Sequence, residues 1–175
     1  MPLLFASGTW DAVLGFVRDH LAWAEPVVFA LGFGESIALL SLFVPSTILF
    51  IGIGGLHHAA GGSFVSVWLA GSAGAFVGDL ISYVLGRVFK GGIATVWPFR
   101  KNPGLLDRAK SFSERFGGFG VIASKFLGPL RPFVPVMAGA LEMRPLVFII
   151  SSALSCLMWA GVFLAPGYGL SFMMR

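Results

Sequence analysis

Two long stretches of the chain carry no Asp, Glu, Lys or Arg: Ser36 to Gly78 and Pro145 to Met174. Runs of that length point to helices in a lipid environment, broken where Gly, Pro and charge return. Residues 9 to 24 read differently. Trp10, Val13, Leu14, Phe16, Val17, Leu21 and Trp23 alternate there with charged positions. This spacing gathers apolar side chains on one helical face. Thr9 and Asp11 suit a helix start and Pro26 a stop. Residues 1–25 are therefore expected to hold an amphipathic helix lying in the membrane interface.

Residues 26–60 fit neither one span nor two. One helix over this stretch would run about 50 Å at 1.5 Å per residue, against a hydrocarbon core of roughly 30 Å. Two spans would need about 40 residues. Pro45 stands in the middle and removes an amide donor. The arithmetic favours a re-entrant hairpin of two short arms, tolerated where protein or water satisfies the freed backbone groups. Residues 63–87 have the length of a transmembrane helix. Residues 88–116 are polar, with Leu105, Leu106, Ala109, Phe112 and Phe116 along one face of a surface helix. Residues 117–143 repeat the puzzle, with Gly128, Pro129, Pro132 and Pro135 as breaks, and read as a second re-entrant hairpin. Residues 145–170 form the last span.

The two hairpins resemble each other. Phe33-Gly34 precedes Gly54-Gly55-Leu56 much as Phe119-Gly120 precedes Gly139-Ala140-Leu141, and a Trp-bearing span follows each, with Trp68 and Trp159. One pass separates the copies, so they would enter from opposite faces. The expectation is an all-α polytopic membrane protein, residues 1–175 forming a single membrane domain. It would contain two inverted re-entrant helical hairpins, each followed by a transmembrane helix, plus interfacial amphipathic helices. Such an arrangement brings broken helices together near the bilayer midplane.

Composition agrees with this and adds orientation. The 175 residues are 57% hydrophobic and 11% charged, far from the roughly 25% charge of soluble domains. Arg87, Lys90, Arg100, Lys101, Arg108, Lys110 and Arg115 cluster against Asp107 and Glu114. The basic-loop bias puts residues 88–116 on the cytoplasmic side. Contact with anionic headgroups accounts for this patch better than nucleic acid, since interleaved aromatics are absent. The N-terminus lacks the basic region of a cleaved signal peptide. Cys156 stands alone, so neither a disulfide framework nor a cysteine metal site is expected.

Glu35, Asp79, Lys125 and Arg131 fall at membrane depth, where a charge must pair or line a polar cavity. Lys125 and Arg131 bracket Gly128-Pro129. Arg offers a planar fork for phosphate oxygens and Lys a point charge, so the two form a candidate receptor for a lipid phosphate. Glu35 could neutralise the empty site as counter-ion or take up a proton. A structural ion pair, with Glu35 and Arg131 pinning the two hairpins together, is the competing reading. Asp79, Tyr83 and Arg87 share one helix face and read as a supporting stripe. His57-His58 has no third ligand at useful spacing, and Ser124-Lys125 are adjacent on a helix and cannot face each other. No Gly-x-Ser-x-Gly or phosphate-loop pattern occurs. An enzyme, a metal and a cofactor are not expected.

Gly78-Asp79-Leu80-Ile81-Ser82-Tyr83-Val84-Leu85-Gly86-Arg87 resembles the signature Gly-Asp-x-x-x-Tyr-x-x-Gly-Arg/Lys. Lys125-Phe126-Leu127-Gly128-Pro129-Leu130-Arg131-Pro132-Phe133-Val134-Pro135, with Ala138-Gly139 and Met143 beyond it, resembles a hallmark second hairpin. With Glu35, Pro45, Trp159 and Gly167-Tyr168, these residues resemble the DedA family of bacterial membrane proteins, also called VTT or SNARE-associated, over about residues 26–170. The resemblance implies re-entrant hairpins in an inverted repeat and a place in the bacterial inner membrane. It also implies movement of undecaprenyl phosphate or a phospholipid between leaflets, with Glu35, Lys125 and Arg131 as functional positions. Thr47 stands where the family usually has a second acid, which weakens proton coupling more than phosphate binding. Lys125 stands where Arg is commoner, and many members add a helix beyond Tyr168.

The expected function is thus a flippase- or scramblase-like lipid transporter, with membrane lipids as partners and a homo-oligomer left open. A membrane scaffold or assembly protein, or a small-ion carrier using the same buried charges, are the alternatives.

Overall fold

A computed structural model describes residues 12, 15–17, 19–37, 46–89, 92, 100, 103–126, 131 and 133–173; at 46, 47, 103, 105–110, 112–114 and 170–173 it describes the backbone alone. The described residues are helical throughout their ordered elements, with no strand among them. A 3₁₀ turn at Leu21–Trp23 leads into α1 (Ala24–Ser36). There follow α2 (Ser46–Ala59), α3 (Phe64–Val88), α4 (Pro103–Ser124), α5 (Phe133–Ala140) and α6 (Pro145–Met173).

Two helices have the length and apolarity to cross a bilayer, over Phe64–Val88 and Pro145–Gly169. At 1.5 Å per residue each such segment spans about 37 Å. By the same rise α1, α2 and α5 reach only about 12–21 Å, short of a crossing. α4 is interrupted at Gly117, whose φ of 48° and ψ of −127° are open to glycine and strained for other residues.

The two long helices are two-faced. α3 exposes Val65, Leu69, Ile81 and Val88, and α6 exposes Leu146, Ile150, Leu154, Met158 and Val162 at successive helical turns. Large apolar side chains in such rows suit lipid as solvent. The inner faces carry small residues. On α3 these are Gly71, Ser72, Gly74, Ala75, Gly78, Ser82 and Gly86, which let neighbouring backbones approach closely.

Helix contacts recur in two matching sets. α1 packs on α3 and α2 on α6; the end of α4 packs on α6 and α5 on α3. A methyl at Gly54 would press on the Leu164 carbonyl, and one at Gly139 would overlap the Tyr83 carbonyl. A methyl at Gly167 would overlap the Ile51 carbonyl, and one at Gly86 the Val136 carbonyl. Between these layers Val28, Phe50, Ile53, Val67, Trp159 and Leu164 form one buried cluster, and Tyr83, Val121, Ala138 and Phe148 a second.

Two prolines do not sit where the sequence reading put them. Pro26, expected to end the first helix, lies in the first turn of α1; the break comes earlier, at Leu21–Trp23. Pro135, expected as a hairpin break, lies buried in the first turn of α5. A first-turn amide has no intrahelical acceptor, so proline costs no hydrogen bond there. Pro45, Gly128, Pro129 and Pro132 lie outside the described residues, as does the side chain of Thr47.

Candidate functional site

The polar residues of this apolar chain converge from five elements. The last turn of α1 supplies Glu35 and Ser36, the middle of α3 supplies Asp79 and Ser82, and α6 supplies Ser152, Cys156 and Trp159. Lys125 follows the end of α4 and Arg131 precedes α5, so both cations sit where helical backbone stops.

Lys125 and Asp79 form the inner pair. Nζ lies 2.8 Å from Oδ2 and 2.9 Å from Oδ1 of Asp79, and both side chains are only 2% exposed. The ammonium also donates to Ser36 Oγ at 3.2 Å, so the partners match its three protons. Asp79 Oδ2 accepts from Ser152 Oγ at 2.7 Å and from the Cys156 thiol at 3.5 Å. The Ser36 carbonyl accepts from Ser82 Oγ at 3.1 Å, which ties the end of α1 to α3. A buried ion pair is sustained only when further hydrogen bonds satisfy the remaining lone pairs and protons, and here they do.

Arg131 and Glu35 form the outer pair, Nη1 to Oε2 at 2.8 Å, with side chains 7% and 12% exposed. The guanidinium carbon lies 3.9 Å from the centre of the Trp159 ring, at cation–π distance. Trp159 is itself fixed by Phe50 and Phe163. Arg131 Nε and Nη2 are buried and have no hydrogen-bond partner among the described residues. Those two N–H groups share one edge of the guanidinium, the edge that grips an oxyanion through two parallel hydrogen bonds.

Tyr83 and Arg87 lie further along α3. Tyr83 donates to the Met143 carbonyl at 2.6 Å and stacks on Phe148, while Arg87 Nη1 donates to the Tyr83 oxygen at 2.9 Å. Of the residues singled out in the sequence, Glu35 meets Arg131 and Asp79 meets Lys125. The two cations thus have separate carboxylates, and Lys125 is already saturated. Ser36, Ser152, Cys156 and Trp159 were not read from the sequence as members of this site. Ser152 and Cys156 one turn apart in an uncharged span were the available signal. Among the described residues no group of three or more His, Cys, Asp or Glu is placed to hold a metal ion.

The sequence profile of the VTT domain matches residues 44–169. The inner membrane protein YabI of Escherichia coli is 35% identical over 153 residues, which cover 87% of this chain and 60% of YabI. The uncharacterized membrane protein BU139 of Buchnera aphidicola is 34% identical over 152 residues, 87% of this chain and 59% of the relative. Protein DedA of Escherichia coli is 27% identical over 158 residues, covering 87% of this chain and 71% of DedA. The chain thus spans about three fifths of the length of YabI and BU139. No solved structure matches it significantly.

Proposed function

The chain belongs to the VTT-domain, or DedA, family of membrane proteins, and on that footing we propose that it carries a phosphate-bearing lipid between leaflets. The observation behind this reading is the edge of Arg131 that no described residue engages. A buried guanidinium with Nε and Nη2 unpartnered among the described residues forfeits hydrogen bonds it would have in water. A phosphate with two free oxygens satisfies both. Stacking on Trp159 engages the face of the guanidinium and Glu35 holds Nη1, so neither takes up that in-plane edge. Lys125, saturated by Asp79 and Ser36, holds the frame in this state. A phospholipid diester and a polyprenyl phosphate offer the same oxygens.

The surrounding architecture is read as two re-entrant hairpins, residues 26–60 and 117–143, in an inverted repeat. The matched glycine–carbonyl contacts of α2 with α6 and α5 with α3 support it, as does the shortness of α1, α2 and α5. The site then lies where the hairpins meet, and opposed hairpin movements would present the headgroup to each leaflet in turn. Inner-membrane names among the relatives favour a bacterial inner-membrane location, with residues 88–116 cytoplasmic by their charge.

A scaffold is the second reading, favoured by both ion pairs being closed. Lipid-phosphate binding separates the two. Purified protein should retain a radiolabelled polyprenyl phosphate or phosphatidic acid, and Arg131→Lys, which keeps the charge but loses the fork, should lose at least about tenfold in affinity. Trp159→Leu should also weaken binding, by removing a contact of about 0.5–2 kcal/mol. Equal binding by wild type and Arg131→Lys would favour the scaffold.

A further inference from the structure

A second polar cluster lies at the opposite end of α3 from Arg87. It joins the first turn of α1, the last turn of α2, the start of α3 and the end of α6. His57 of α2 is 7% exposed, and neither ring nitrogen has a hydrogen-bond partner among the described residues. Its Nε2 lies 3.9 Å from Glu25 Oε1 on α1. That oxygen accepts from Ser66 Oγ of α3 at 3.0 Å, and the Glu25 side chain is 34% exposed, so water reaches the carboxylate.

Gly62 packs against the Nε2 side of the imidazole. Gly62 N–H donates to the His57 carbonyl at 2.8 Å, and a methyl at Gly62 would overlap the ring. Among the described residues the other titratable groups facing the cluster are His58, next along α2, and Tyr168 of α6, whose rings are 4.9 Å apart. α3 contributes Ser66 and Phe64, neither of which ionises, and Phe64 packs on Tyr168.

A neutral imidazole buried this way loses its hydrogen bonds to water and gains none from the described residues. Protonation changes the balance. An N–H⁺ at Nε2 sits one small side-chain movement from a charge-assisted hydrogen bond to Glu25. We propose that His57 and Glu25 form a proton-responsive latch, open when the imidazole is neutral and closed when it takes a proton from the aqueous side. Closure ties the start of α1 to the end of α2. Glu25 and Glu35 lie on that same helix, about 15 Å apart along its axis, so the latch acts on the carboxylate paired with Arg131. The inference rests on the lipid-carrier reading for its consequence, though not for the latch itself. His57 is a positioning residue in this scheme.

Two readouts keep the layers apart. The first is thermal unfolding of detergent-solubilised protein at about pH 5.5 and about pH 8, on either side of the ordinary imidazole range. Wild type should gain stability at the lower pH relative to His57→Gln and to the part-exposed Glu25→Gln, and both variants should lose most of that difference. The second is lipid-phosphate movement in vesicles at the same two pH values. The wild-type rate should change several-fold between them, and either variant should flatten the profile. A pH dependence of unfolding shared by wild type and both variants would overturn the latch. A response in unfolding with pH-dependent transport unchanged in the variants would overturn its control of the lipid site. A response in unfolding with no lipid movement by wild type would leave the latch standing and sink the carrier reading instead.

Discussion

Lys125 and Asp79 face each other across the centre of the helix packing, 2.8 and 2.9 Å apart through the two carboxylate oxygens and sealed from solvent. The pair joins the end of α4 to the middle of α3, and through Ser36 and Ser152 it reaches α1 and α6. Breaking one half of such a pair strands a buried charge, which costs about 3–5 kcal/mol. Asp79→Asn should therefore lower stability in detergent by about that amount. The double substitution Asp79→Leu with Lys125→Met should recover most of it, because no charge is left buried. A double variant no better than the singles would show that the pair does more than balance charge.

Close backbone contact makes a separate prediction. Gly86 and Gly167 each lie against a carbonyl of a neighbouring helix, so Gly86→Ala and Gly167→Ala should each destabilise by about 1–3 kcal/mol through overpacking. Gly34 meets nothing within 4 Å. Gly34→Ala should be neutral or gain about 0.5–1 kcal/mol from the better helix former. Chemical unfolding of the three variants beside wild type checks this directly.

Orientation can be tested with single cysteines, since the native Cys156 is buried. Ser111 in the basic segment and Ala60 between α2 and α3 are both exposed. Ser111→Cys should react with an impermeant maleimide only from the cytoplasmic side, and Ala60→Cys only from the other. The opposite pattern would invert the assignment.

Much of the helical layout was legible because length is decisive in a membrane. Pro145 to Met174 has no charge and room for one crossing, and residues 26–60 have too many residues for one and too few for two. The carboxylates and cations were legible for a related reason: Glu35, Asp79, Lys125 and Arg131 are conspicuous in apolar sequence. The Glu35–Arg131 pair was among the readings the sequence offered; the Asp79–Lys125 pair was not. Lys125 and Arg131 are near in sequence and suggest a shared ligand, yet helix ends point them to different carboxylates, on α3 and α1. Pairing across elements depends on helix rotation, which composition does not encode. Trp159 was read only as the Trp of the span after the second hairpin; it is buried in the core, and its face also carries the guanidinium. Ser152 and Cys156 gave only a faint signal because small polar residues are common inside membrane helices.

The carrier reading is tested most directly by headgroup accessibility in proteoliposomes. Protein would be reconstituted with a fluorescent phospholipid or a labelled polyprenyl phosphate, alongside Arg131→Ala and Arg131→Lys. Wild type should expose the protected inner-leaflet pool, and both variants should leave it protected while remaining folded. Folded wild-type protein that moves none of these lipids, or an Arg131→Ala variant that moves them at the wild-type rate, would contradict the account.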